Sequence, residues 1–367
     1  MNLGVIIDGT SPFIAEVLED WRQAFHTECF EFTPLKLPFL GARVNEKRYR
    51  FSLQSFLRRN DVVFFEWAGK QLAYASRLKT NTPLVARLHS WELFGFANQI
   101  RWDAVSRVVL VSEAMRRKFV GRFPEQSAKT EVVYPGKSLS RFRTRPNQFS
   151  GRIGMICDLN PVKRVYDMIL TLYSLTKKGY DLTLHLAGGP TNDPESQRYQ
   201  VSIERAVDHL NLRGRVVFHG WITDPALFLQ GIDIFVSNSY WEGMQNALVE
   251  AMATGCYCLS HFWEGVEEVL PDRYIYVTSG DLEEKITAYC ECSQDRKWAH
   301  QGELRTIVSD KFNMSAMLAR MRGIVMQAGG AANLSAMSAS PSSSTPGSPL
   351  QRESQSTVTV GDQDSGG

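Results

Sequence analysis

Short apolar runs alternate along this chain with longer stretches in which apolar residues recur every three or four positions. The runs read as strands at Leu3–Ile7, Asp61–Glu66, Pro83–Leu88, Arg107–Val111 and Glu131–Tyr134. The intervening spacing predicts helices such as Ile14–Phe25, Lys70–Leu78 and Glu113–Phe119. β-Branched runs separated by helices argue for a parallel sheet with helices on both faces.

The pattern breaks at 135–150, where PGKSLSRFRTRPNQFSG is polar, basic and interrupted by Gly and Pro, as a linker is. It then restarts with strands at Arg152–Ile156, Leu182–Ala187, Val216–His219, Ile232–Ser237 and Cys256–Ser260. Asn160-Pro161 and Asp224-Pro225 each offer an N-cap followed by Pro at the first helical position. Helices over Asp281–Cys292, Asp295–Asp310 and Met314–Met326 close the folded part. From Gly329 onward Ser, Gly, Thr, Pro and Gln dominate, a composition too poor in apolar surface to order itself. The expected architecture is α/β, with two doubly wound Rossmann-like domains facing a central cleft. Residues 1–140 form the first domain, 141–150 a linker, 151–328 the second domain and 329–367 a disordered tail.

Composition narrows the function classes. A net charge of +2 over 367 residues implies no global polyanion partner, and no nucleic acid is expected. The first 150 residues nevertheless hold an excess of Lys and Arg over Asp and Glu, while the remainder is acidic. That asymmetry suggests a basic first domain facing phosphates or the surface of an anionic membrane. No apolar run reaches the length of a span, and the start lacks a charged leader, so a cytoplasmic protein is expected, working at the inner membrane face. Two close cysteine pairs, Cys256/Cys258 and Cys290/Cys292, lie in unrelated apolar surroundings. They read as buried reduced thiols, and no metal site is expected. No G-x-G-x-x-G follows either domain's first strand, which argues against a dinucleotide oxidoreductase.

The most informative stretch is SYWEGMQNALVEAMATG, residues 239–255. A strand enters a turn holding Glu242 and Gly243, and a helix begins at Met244, Gln245 and Asn246. Free amides and the positive dipole end at a helix start suit phosphate oxygens, and Gly243 lets backbone approach a ligand. Glu250 lies among Ala247, Leu248, Ala251 and Met252, company in which an acid needs a partner such as a hydroxyl-bearing ligand. Eight helical residues span about 12 Å, of the order of the length from a donor sugar across a diphosphate to a ribose. On spacing alone, an acidic first turn and one paired buried Glu would be the better account, because Glu pairs eight apart are common.

The surrounding residues go further. WEGMQNALVEAMATG resembles the E-x7-E signature of the family 4 retaining glycosyltransferases of GT-B architecture, with Glu242 and Glu250 in the acidic places. NPVKRVYDMI resembles that family's P-x-K segment, with Lys163 as its phosphate-binding lysine. LHLAGG and VVFHGWITD look like its next strand ends, and ARLHSWE and VVLVSEAMRRKF like its acceptor-side regions. The resemblance covers roughly residues 80–325 in order. It implies that the second domain holds a nucleotide diphosphate sugar through Lys163, Gly243, Met244, Gln245, Asn246 and Glu250. Glu242 and His89 would stand at the transferred sugar, and Gly9 in the place of a diphosphate-touching loop. No cofactor and no metal are implied, and the first domain would receive a hydroxyl acceptor, of a lipid-linked kind among others. One departure stands out: Asp158 occupies the place where the family commonly has a second phosphate-facing arginine. It keeps in play a nucleotide-sugar epimerase of the same architecture and a non-catalytic nucleotide-sugar binder. His261 with Phe262 and Trp263 reads either as donor-pocket wall or as packing. AMRRKFVGRF reads as an amphipathic core helix with a charged outer face, or as a membrane-docking face.

Overall fold

The computed structural model describes residues 1–8, 14–36, 41–144 and 148–338, with side chains through 330. Two six-stranded sheets, each entirely parallel, form two successive α/β domains.

In the first domain the elements run β1 (Asn2–Ile6), α1 (Ala15–Ala24), β2 (His26–Cys29), α2 (Gly41–Arg59), β3 (Val62–Phe65) and α3 (Lys70–Ala75). They continue with β4 (Leu84–Leu88), α4 (Trp91–Gly95), β5 (Val105–Leu110), α5 (Glu113–Arg122) and β6 (Thr130–Val132). The strand order is β2-β1-β3-β4-β5-β6. The central strands β3 and β4 are buried along their whole length, which is why they read as continuous apolar runs. The edge strand β2, HTEC, is half-buried and polar, and α2 is rich in Arg; neither has the pattern that reveals a strand or a helix in sequence.

The second domain runs β7 (Arg152–Ile156), α6 (Val165–Lys177), β8 (Thr183–Ala187), α7 (Pro194–His209), β9 (Val216–Gly220) and α8 (Pro225–Leu229). Then follow β10 (Ile234–Ser237), α9 (Asn246–Thr254), β11 (Tyr257–His261), β12 (Ile275–Tyr276), α10 (Ser279–Glu291), α11 (Gln294–Lys311) and α12 (Met314–Ser338). The strand order is β12-β11-β10-β7-β8-β9. Asp224 caps α8 as expected, accepting from the amides of Ala226 and Leu227. Asn160-Pro161 instead opens a single 3-10 turn that ends at Arg164 in the left-handed region (φ 51°), and α6 starts only at Val165.

Two expected boundaries are corrected. The last helix does not belong to the second domain: Met317, Met321, Ile324 and Val325 of α12 pack with Leu3, Val5, Val62, Phe64, Val85 and Val109 under the first sheet. Periodicity shows that a helix has an apolar face but not which sheet covers it. The segment entering the linker is packed. Lys137 is already bridged to Asn313, and Phe142 is buried in the core. Finally, the helix continues to Ser338, past the point where the tail was expected to begin. Ala, Leu and Met extend an existing helix at low cost, since each added residue gains a hydrogen bond without a new nucleus.

Candidate active site

In an open parallel sheet, ligands bind at the carboxyl ends of the strands where the strand order reverses. In the second domain that point lies between β7 and β10. The loop after β7 delivers Lys163 and the loop after β10 delivers Ser239 and Glu242. The Lys163 ammonium stands 2.6 Å from Glu242 Oε1, which also accepts from Ser239 Oγ at 2.7 Å. Burial alone would push the Lys163 amine down, but the Glu242 carboxylate outweighs it and holds the amine above its ordinary value, with Asp158 adding in the same sense.

Glu242 leads directly into α9. No side chain caps that helix at Gln245, so its first amides are left for a ligand. Met244 and Gln245 are both buried, Met244 within the core. Glu250 lies only about one turn into α9, because the helix starts at Asn246 and not at Glu242 as the eight-residue helical span assumed; its Oε1 is 2.7 Å from Lys137 Nζ. Beside Lys163, Arg164 binds Asp167 through Nε, and its guanidinium lies over the Tyr240 ring.

Facing these residues, the end of β4 presents His89. Beneath it Glu66, fully buried at the end of β3, receives Arg87 at 2.6 Å and the His89 ring at 3.4 Å. Burial pushes the Glu66 carboxyl up, but Arg87 and His89 together outweigh it and hold the group below the ordinary carboxylate range. Trp67 adopts φ 149°, a conformation rare for a residue with a side chain, and stacks its indole on His89 with ring centroids 4.1 Å apart. Glu92 Oε1 accepts from the His89 amide, and burial raises this second carboxyl above its usual range. The His89 ring turns its Nε2 to Glu66.

The two halves meet. A Cβ placed on Gly243 would lie 3.0 Å from Ser90 Cβ, and Ser112 Oγ donates to the Gly243 carbonyl at 2.8 Å. The chain neighbours of His89 and Glu242 thus touch across the cleft. Alongside, Glu268 of the second domain accepts from the first amides of α5 at 2.8 and 2.7 Å and from Tyr134 OH. Lys118 pairs with Glu264 and lies over Trp241, and Arg117 approaches Glu267. The basic face of α5 is therefore an inter-domain surface, while Met115 and Phe119 on its other side are core.

Of the remaining expectations, Gly9 lies outside the described residues. Trp263 is core, donating to Ser260, whereas Phe262 is exposed. His261 sits edge-on to Tyr240 and Tyr276, and burial holds its imidazole below the ordinary value. All six cysteines are free, and no metal-binding cluster occurs among the described residues. Among the same residues no helix is long and apolar enough to cross a membrane. Sequence reasoning missed Glu66, Trp67, Arg87 and Lys137. A signal was available for the first and third, since FFEW and VARLH each carry a charge inside an apolar strand run.

Residues 150–295 match the family described as glycosyl transferases group 1. YtcC of Bacillus subtilis (strain 168), which bears a glycosyltransferase name, is 28% identical over 244 residues, 57% of this chain and 58% of that one. A poly(ribitol-phosphate) alpha-N-acetylglucosaminyltransferase of Staphylococcus aureus (strain COL) is 24% identical over 153 residues, 41% of this chain and 28% of that one. The chain thus spans little more than half the length of the first relative and under a third of the second. Among solved structures, Anabaena Alr3699/HepE in complex with UDP matches with a TM-score of 0.71 at 19% identity, over 89% of this chain and 100% of that one. The chain has the GT-B architecture, and residues 150–295, within its second domain, are similar to the glycosyl transferases group 1 family.

Proposed function

We propose that this protein is a retaining, metal-independent glycosyltransferase that moves a sugar from a nucleoside diphosphate to a hydroxyl acceptor in glycan or surface polysaccharide synthesis. The observation that carries this reading is the Lys163–Glu242 pair at the uncapped start of α9, with Glu250 on the same helix. Lys163 and the α9 amides neutralise the diphosphate, so no cation is needed for that charge. Glu242 and His89 hold hydroxyls of the transferred sugar, and Glu250 holds the ribose. The bond from C1 to the leaving phosphate breaks on the face where the acceptor oxygen bonds to C1. The acceptor's proton passes to the departing phosphate oxygen. Glu242 is therefore no covalent nucleophile.

The acceptor side is supported by a cavity of about 650 Å3 where the strand order of the first sheet reverses, between β1 and β3. Asp8, Glu46, Lys70 and Gln71 supply polar groups there, and Phe32, Tyr49 and Tyr74 supply aromatic faces, a lining suited to a hydroxyl-rich acceptor. With the α5 cations engaged, contact of the basic domain with an anionic membrane falls to α2, where Arg43, Lys47, Arg50 and the outward Phe51 are exposed. Co-sedimentation with phosphatidylglycerol vesicles, lost in the Arg43→Glu/Lys47→Glu variant, tests that contact.

Calorimetric titration of UDP, GDP and ADP, with and without magnesium, into wild type and Lys163→Ala tests the donor site. Binding of one nucleotide, indifferent to magnesium and weakened at least about tenfold in the variant, is expected for a charge-assisted contact. A folded wild type that binds none of the three refutes the reading. Asp158 beside Lys163 favours one rival, a binder without turnover; nucleotide binding with no release of the sugar to any hydroxyl, water included, would establish it.

A further inference from the structure

The chain passes between the domains twice, after β6 and again between α11 and α12. Both passages meet at Gly136 and Lys137. The Lys137 amide donates to the Phe312 carbonyl at 2.7 Å, and Lys137 is bridged to Asn313. A Cβ on Gly136 would lie 2.7 Å from Met314 Cα, so the two passages are in backbone contact. From this junction the Lys137 side chain, only 9% exposed, reaches into the second domain and ends 2.7 Å from Glu250 Oε1.

The rest of α9 is tied to the same segment. Arg305 of α11 donates to the carbonyls of Phe142, Leu139 and Ala253, the last at the end of α9. A Cβ on Gly255, just past α9, would meet Thr144 at 2.9 Å. The Glu250 side chain is 14% exposed, and Lys137 engages only one of its oxygens. Among the described residues Oε2 has no hydrogen-bond partner. A buried ion pair generally stabilises a fold no more than apolar packing of the same volume. A carboxylate held by one oxygen, with the other unpaired among the described residues, has the form of a ligand-binding group rather than a structural one.

We propose that Lys137 is a positioning residue of the donor site: it fixes Glu250 through Oε1 so that Oε2 faces a ribose hydroxyl. It thereby ties ribose recognition to the segment joining the domains. This rests on the reading of Glu250 as the ribose anchor.

The test compares UDP with 2'-deoxy-UDP by calorimetry, in wild type, Lys137→Met, Lys137→Arg and Glu250→Gln. A hydrogen bond to a charged group predicts that wild type prefers UDP by about tenfold or more. Lys137→Met should bind both nucleotides alike within about twofold, because an unheld carboxylate loses its aim but the diphosphate contacts stay. Lys137→Arg should keep the preference. Lys137→Gln carries the same comparison if the Met variant does not fold. A preference undiminished in the folded Met or Gln variant overturns the role of Lys137. A preference undiminished in Glu250→Gln overturns the ribose reading itself, and the role of Lys137 with it. A merely structural lysine would weaken both nucleotides equally, and that result also refutes the proposal.

Discussion

Replacing Arg87 by methionine isolates the charge that supports His89. Arg87 lies in β4 and Glu66 follows β3, so the pair spans two adjacent central strands. Arg87 Nε reaches both carboxylate oxygens, at 3.2 and 3.0 Å, and Nη2 reaches Oε1 at 2.6 Å. The Glu66 side chain is 0% exposed and that of Arg87 6%, so water replaces neither partner. Without the guanidinium, Glu66 keeps only the His89 ring, at 3.4 Å, among the described residues. Stranding one member of such a pair costs about 3–5 kcal/mol. The sign with pH follows from the direction of the shift. In wild type the carboxyl is held below its ordinary value, so its contribution is complete above the unfolded value and is lost as pH falls through the folded one. In Arg87→Met burial wins and raises the carboxyl instead, so the variant is penalised at neutral pH and relieved as Glu66 takes up a proton. Urea unfolding followed by tryptophan fluorescence at pH 7 and pH 5 measures both effects. The gap between wild type and variant should be largest at pH 7 and narrow at pH 5, and Arg87→Met/Glu66→Gln should recover most of the loss. A gap under about 1 kcal/mol at pH 7 would refute the argument, because it would mean that the buried charge is compensated elsewhere.

Three further outcomes are expected. Gly243→Ala must push Ser90 back, since its Cβ would lie 3.0 Å from Ser90 Cβ and 3.2 Å from its amide nitrogen. Misplacement on the ångström scale costs turnover up to about 100-fold, so steady-state assays should show kcat falling well beyond any change in nucleotide affinity; an unchanged kcat contradicts it. Glu268→Gln weakens the acceptor for the α5 amides and Tyr134, and should cost about 1–2 kcal/mol in thermal unfolding. The Tyr134 phenol, held up by burial and by that carboxylate, should then titrate lower in ultraviolet absorbance. Met321→Ala opens a cavity where α12 meets the first sheet and should cost about 2–5 kcal/mol. Hydrogen exchange should lose protection in β1 and β3 before β7 and β10, and the reverse order would assign α12 to the second domain.

Much of the architecture was legible because parallel strands buried on both faces leave apolar runs, as VVFF and IFVS do here. The resemblance around Glu242 and Glu250 singled out the loop after β10, and the structure brings Lys163 to Glu242 across the β7–β10 crevice. What stayed hidden shares a physical reason. β2 is polar because an edge strand has less to bury, and β12 has only two residues. The Lys137–Glu250 and Ser90–Gly243 contacts join residues far apart in sequence, where nothing local records the partner. The basic run in α5 reads as a charged outer face, and the structure supplies Lys118 and Arg117 with partners, Glu264 and Glu267, from the other domain. The sequence by itself determined which residues are strand, helix start or buried face, because period and capping are local properties of the chain. Only the tertiary structure decided what each face meets, from α12 under the first sheet to Lys137 on Glu250, because burial constrains a side chain's surroundings without naming the neighbour.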